Sequence, residues 1–188
     1  MMNLERVEHI LRAAGDATGQ RSFVLIGSAA IFAWRTFVPE ELATSREADL
    51  YALTPDLVEA ERIADALDAI LGQQSLFDET HGYYCDGVGP ETAILPYDWQ
   101  DRAKLYTSAN TNGVTALVPE PNDLALSKLC AGREKDMSWL VEAARAFLID
   151  LDAMRDRFER LPRDREQTDP QMLESRLAVV RGRLAQSS

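Results

Sequence analysis

The chain has 188 residues, 46% of them apolar, enough for one cored domain or one domain with a helical appendage. Its 31 acidic and 20 basic residues give a net charge of −11, a surface that repels phosphate backbones and argues against non-specific nucleic-acid binding. Two cysteines and two histidines supply neither a disulfide framework nor a zinc pattern. The opening residues, MMNLERVEH, lack an apolar h-region, and the longest nearly apolar run, Phe23 to Trp34, is too short to span a bilayer, so a cytoplasmic protein without a membrane partner is expected.

Leu4, Val7, Ile10, Leu11 and Ala14 keep helical spacing, and Gly15 is expected to end that first helix. Ser22 to Ile26 reads as a short buried strand, followed by a small-residue helix from Ser28 to Arg35 and a loop from Phe37 to Ser45. Ala48 to Leu53 reads as a second strand. Thr54-Pro55-Asp56 then starts a helix, with Pro at its first position, and Gly72 ends it. Four further strands are expected over Gly82–Asp86, Glu91–Leu95, Arg102–Thr107 and Val114–Val118, with Asn112-Gly113 the clearest hairpin signal.

From Pro121 the pattern is helical: Asn122 to Ala131, a break at Gly132, Lys135 to Ile149, and a helix carrying Leu151, Met154, Phe158 and Leu161. A polar linker from Pro162 to Pro170 leads to a last helix with Leu173, Leu177, Val180 and Leu184 on a narrow seam. The seam suits folding onto its own bundle better than a partner contact, although spacing alone does not separate the two. Strands first and helices last indicate an α+β protein: residues 1–120 form a mixed sheet flanked by helices, and residues 121–188 a C-terminal helical region packed on it.

The stretch that suggests chemistry runs from Phe23 to Ala52. An apolar strand ends in Gly27-Ser28, and the next strand carries Glu47 and Asp49. Alternate residues of a strand share a face, so the two carboxylates aim at one place. Backbone N–H groups of the turn after Gly27-Ser28 could meet phosphates. A magnesium ion would suit the acids, since it takes oxygen ligands, usually one or two carboxylates, and leaves room for phosphate. An exposed Glu-x-Asp pair in so acidic a chain is ordinarily a solvated strand face, so the pair gains meaning only from its surroundings.

Gly27-Ser28 followed by Glu47-x-Asp49 resembles the nucleotidyltransferase fold of the polymerase-β type. Asn122 to Leu140 resembles the helical motif of a bacterial subgroup, the DUF6036-type nucleotidyltransferases related to the AbiEii toxins of toxin–antitoxin systems. The matching residues are Asp123, Leu124, Lys128, Ala131, Arg133, Lys135 and Asp136, and Leu95 to Arg102 is similar to the subgroup's Leu-Pro-x-x-Trp-x-x-Arg stretch. The departures are a long gap from Ser28 to Glu47, Glu in place of Asp at the first acid, and Ala48 where a larger apolar residue is common. The resemblance implies Mg²⁺ or Mn²⁺ held by Glu47, Asp49 and a third carboxylate. For the third, Asp86 at the end of the next expected strand is preferred and Glu91 competes. It also implies an NTP held by Gly27, Ser28 and Lys128, with an RNA, protein or small-molecule acceptor and a cognate antitoxin as further partners. The alternative is a catalytically inactive module of the same fold that binds a partner protein or a nucleotide. Trp99 reads as a core anchor, His9 as packed, and His81 as a loop residue with no matching partner.

Overall fold

The computed structural model describes residues 1–186. The chain forms two compact units, one of Met1–Thr92 and Ala103–Pro119, the other of Ala93–Arg102 and the chain from Glu120 onward.

The first unit opens with helix α1, Leu4–Thr18, capped by Asn3, whose side chain accepts from the Arg6 amide. Its apolar stripe of Val7, Ile10, Leu11 and Ala14 is buried. Gly15 does not end the helix. A Cβ there would lie 2.4 Å from the side chain of Val114, just ahead of the last strand, so the glycine lets the helix pass close to that residue. The helix ends at Gly19, in the left-handed region at φ 75°.

Strand β1, Ser22–Ile26, lies at the sheet centre with every residue from Phe23 to Ile26 buried, hence its unbroken apolar run. Strand β2, Glu47–Ala52, pairs antiparallel with it, and β3, Tyr84–Gly87, pairs parallel with β2. A parallel neighbour requires a crossover. Helices α2, Leu57–Leu71, and α3, Leu76–His81, supply it. On the other side β5, Thr115–Val118, runs parallel to β1, and the short edge strand β4, Lys104–Tyr106, pairs antiparallel with β5, giving the order β3-β2-β1-β5-β4.

Several expected elements differ for local reasons. The Ser28 segment is a six-residue 3₁₀ helix, Ser28–Ala33, and not an α-helix to Arg35. Pro55 stands before the start of α2; Asp56 is the cap, accepting from the Val58 and Glu59 amides. Helix α3 escapes a periodicity reading because six residues hold barely two turns. Its signals are the Ser75 cap and Gly82 at φ 74°. Glu91–Leu95 is not a strand: Gly89-Pro90 makes a turn, closed by the Thr92 amide on the Gly89 carbonyl. Asn112 and Gly113 are both left-handed, as the dipeptide demands, but they follow a 3₁₀ turn, Ala109–Thr111, so the β4–β5 connection is longer than a two-residue hairpin.

The second unit carries α4, Pro121–Ala131, α5, Glu134–Arg145, α6, Leu151–Arg155, and α7, Pro170–Gln186. Helix α5 stops before the expected Ile149 because Phe147 takes φ 55°. On α7, Leu173, Leu177 and Val180 are buried, and α4 and α5 are its neighbours. Arg176 of α7 donates to the Leu129 and Cys130 carbonyls at 2.8 and 2.6 Å, satisfying two of the acceptors left over at the end of α4. Among the described residues no helix is long and apolar enough to cross a membrane.

Residues 93–102 join the helical unit through ion pairs. Arg102 donates to Asp98 and to fully buried Asp123; Arg160 pairs with Asp98, and Arg157 with Glu120 and Asp123. Hydrogen bonds from Arg102, then Arg160, hold the Asp98 carboxyl well below the usual carboxylate range. A lowered folded-state value contributes stability that is present above the unfolded value, ~3.9, and is lost as pH falls through that value toward the folded one. Asp98→Asn should therefore flatten the fall in urea midpoint between pH 5 and pH 2.5. An unchanged pH dependence would mean that Asp98 is not a source of acid lability.

Candidate active site

Four polar side chains come to one face of the β2–β3 ladder. Glu47 is paired in register with Tyr84, and Asp49 with Asp86. Register partners share a side of the sheet, and alternate residues along each strand share it too. Glu47, Asp49, Tyr84 and Asp86 thus line one face, and the three acids are neither fully buried nor fully exposed. Asp49 is also the register partner of Ile26 on β1, directly before Gly27.

Gly27 has φ 70° and ψ −163°, a region open essentially to glycine alone. A Cβ at this position would fall 1.7 Å from Asp49 Oδ2. The residue is glycine because the Asp49 carboxylate occupies the space a side chain would take. Gly27-Ser28 and Asp49, 22 positions apart in sequence, therefore meet within one structural unit. Ser28 opens a 3₁₀ helix whose remaining residues, Ala29 to Ala33, are buried, so the turn sits on a packed base.

Glu47 accepts a hydrogen bond from the Tyr84 hydroxyl at 3.0 Å. Burial, then the Glu47 hydrogen bond and the charges of Glu47 and Asp86, push the Tyr84 phenol up to about 12, so it stays a neutral donor across the physiological range. Cys85 points to the other face and is fully buried; burial first, then the carboxylates of Asp49, Asp86 and Asp68, hold its thiol well above the ordinary value, leaving it inert. Glu91 is exposed in the turn after β3, off the ladder. The first unit holds sixteen acidic and seven basic residues, so a triphosphate approaching this face meets net negative charge.

Residues 2–169 match the family described as "Nucleotidyltransferase of unknown function (DUF6036)". The chain belongs to this family. No curated protein and no solved structure matches it.

In this DUF6036 protein the second set of motif residues lies in the helical unit, arranged around two buried aspartates. Asp123 is fully buried between Arg102 and Arg157. Asp136, also buried, accepts from Arg133 at 2.5 Å and lies 3.7 Å from the Lys128 ammonium, which sits 4.9 Å from the Trp139 ring centroid. Lys128 is mostly buried, so its stem is packed, and its charge has a partner within the helices. Trp99 is half-buried on a 3₁₀ turn and not a deep core anchor.

Among the described residues no three or more His, Cys, Asp or Glu side chains form a group that could hold a metal ion alone. The donor set on the β2–β3 face still suits magnesium or manganese. It offers only carboxylate oxygens, two of them from register partners, and such ions commonly complete their shell with water and substrate phosphate.

Sequence reading missed two features. Tyr84 stands two residues before Asp86 and so shares its face, a strand-alternation signal that was legible. His81 is not an isolated loop residue: it ends α3 and its ring meets that of His9. No local pattern links those two positions.

Proposed function

We propose that this protein transfers a nucleotide from an NTP to a hydroxyl acceptor, the new bond forming at the α-phosphorus as pyrophosphate leaves, with a divalent metal ion held by Asp49 and Asp86. The observation that supports this most is the Asp49–Asp86 register pair set against the side-chain-free backbone of Gly27. Magnesium or manganese, when bound, would neutralise phosphate charge and favour attack at the phosphoryl group. Gly27 and Ser28 hold the triphosphate through the turn. Glu47, oriented by Tyr84, completes the acidic face and accepts the acceptor's proton. Catalysis in this reading is positioning and charge neutralisation. The acceptor is an RNA, a protein side chain or a small molecule, and kinship with the AbiEii-like toxins would make this a bacterial, cytoplasmic toxin with a cognate antitoxin. A second reading, a partner-binding module without turnover, draws on Glu47 being tied to Tyr84 and on the absence of a self-sufficient three-ligand group among the described residues.

Asp49→Asn tests the first reading. Wild type should show a melting temperature raised by NTP with Mn²⁺ and not by either alone. The variant should lose that shift while its unliganded melting temperature stays level or rises, because one of several neighbouring like charges is gone. Loss of fold in Asp49→Asn would make the residue structural. Transfer of label from α-³²P NTP to RNA or protein separates turnover from simple binding.

A further inference from the structure

The chain contains two histidines, and they touch. His9 lies on α1 and His81 is the last residue of α3; their rings meet edge to face with centroids 4.7 Å apart. Phe77 packs against both, and Tyr83 completes the cluster, its hydroxyl 2.7 Å from His9 Nδ1. Arg6 lies over the Tyr83 ring at 4.9 Å, and Arg12 acts on His9 from the next turn of α1. The charged and titratable groups bearing on His9 are thus His81, Arg12, Tyr83 and, through Tyr83, Arg6.

We propose that this cluster is a proton-sensitive latch: with His9 neutral it holds α3 on α1, and protonation of His9 in mildly acidic solution releases α3 and loosens the entry into β3.

The reason lies in what holds α3. Six residues are far too few to be helical alone. Beyond its caps and its packing against α2 and β3, α3 is kept by buried Asp78, which pairs with Arg46 and accepts from the Gln74 amide, and by the ring cluster. Protonating His9 would place a cation among aromatic rings, against the His81 imidazole and beside Arg6 and Arg12. A neutral His9 Nδ1 can accept from the Tyr83 hydroxyl, a role that protonation removes, since a protonated Nδ1 donates only. Burial first, then His81 and Arg12, lower the His9 value from its ordinary 6.5. A lowered value means that the latch is fully stable above about pH 6.5 and weakens as pH falls through that range toward the folded value. Release reaches the candidate site because Arg46 donates to the Gly82 carbonyl at 2.9 Å and its own carbonyl accepts from the Tyr84 amide at 3.0 Å. Arg46 directly precedes Glu47, and Tyr84 is the residue that donates to it. Only this last consequence rests on the proposed function.

The test is hydrogen exchange of the intact protein at pH 7.5 and 5.5, without nucleotide or metal, corrected for intrinsic amide chemistry. Exchange of residues 76–84 should speed several-fold at the lower pH, toward the roughly tenfold ceiling that one pH unit below the ordinary histidine value sets for one linked group, while the amides of α7 stay protected. His9→Gln should abolish the acceleration. Should that variant fail to fold, His81→Gln at an exposed position serves instead. It should reduce the acceleration and move the His9 ring titration, read by NMR, toward 6.5. Equal acceleration in α7, no acceleration in 76–84, or a His9 titration unmoved in His81→Gln would each overturn the latch. Failure of the catalytic reading would leave all three readouts unchanged.

Discussion

Gly27→Ala should destabilise the protein by about 3 kcal/mol, combining a backbone conformation that costs a non-glycine residue about 1–3 kcal/mol with a direct collision. For a chain of this size that corresponds to a fall in melting temperature of roughly 6–12 °C. The collision is with one atom, Asp49 Oδ2, 1.7 Å from the new Cβ. The two contributions separate in a double-mutant cycle. In an Asp49→Ala background the nearest remaining Asp49 atom is Cβ, at 3.6 Å, an ordinary contact. Gly27→Ala should then cost only its backbone strain. Equal losses in both backgrounds would show that the turn and the carboxylate do not meet, and would remove the chief support for a phosphate and metal site there.

The second large effect is expected at Asp123. Its carboxylate is fully buried and accepts from Arg102 Nε at 3.0 Å, Arg102 Nη2 at 3.1 Å and Arg157 Nη1 at 2.8 Å. Asp123→Asn keeps the shape, removes the charge between two guanidiniums and turns an acceptor into a donor. Breaking a buried ion pair from one side costs about 3–5 kcal/mol, because the charge left behind is uncompensated. The melting temperature should fall by about 10 °C for a domain of this size. Adding Arg157→Met should recover part of the loss, since one stranded cation is then gone. A wild-type urea midpoint for Asp123→Asn would show that the network does not hold residues 93–102 in the helical unit. The result also bears on the family motif: a residue can recur in a motif because it closes a buried network, without touching substrate.

The two sets of motif residues were unequally legible. Glu47 and Asp49 share a face by strand alternation, which is local geometry and visible in sequence. Placing Asp86 beside them required the β2–β3 register, and that depends on α2 and α3 bringing the chain back parallel. Glu91, its rival, lies off that ladder because Gly89-Pro90 makes a turn, which the sequence pattern did not separate from a strand start. Lys128 illustrates the opposite case. Its place on the Leu124 side of a helix was readable, but its nearness to Asp136 and Trp139 depends on how α5 returns after Gly132.

By itself the sequence determined the apolar centre strand Ser22–Ile26, the start of α4 near Pro121, the break at Gly132, the buried seam of α7 and the α+β order of elements. Each of these follows from burial periodicity or from a residue whose backbone preferences are local. Tertiary structure alone decided why Gly15 and Gly27 are glycines, which carboxylates share a face, and that the two histidines meet. Those facts depend on close approaches between segments far apart in the chain. A sequence records the small residue or the charge that such an approach demands, but not the partner that demands it, because the partner is fixed by the folding of everything between them.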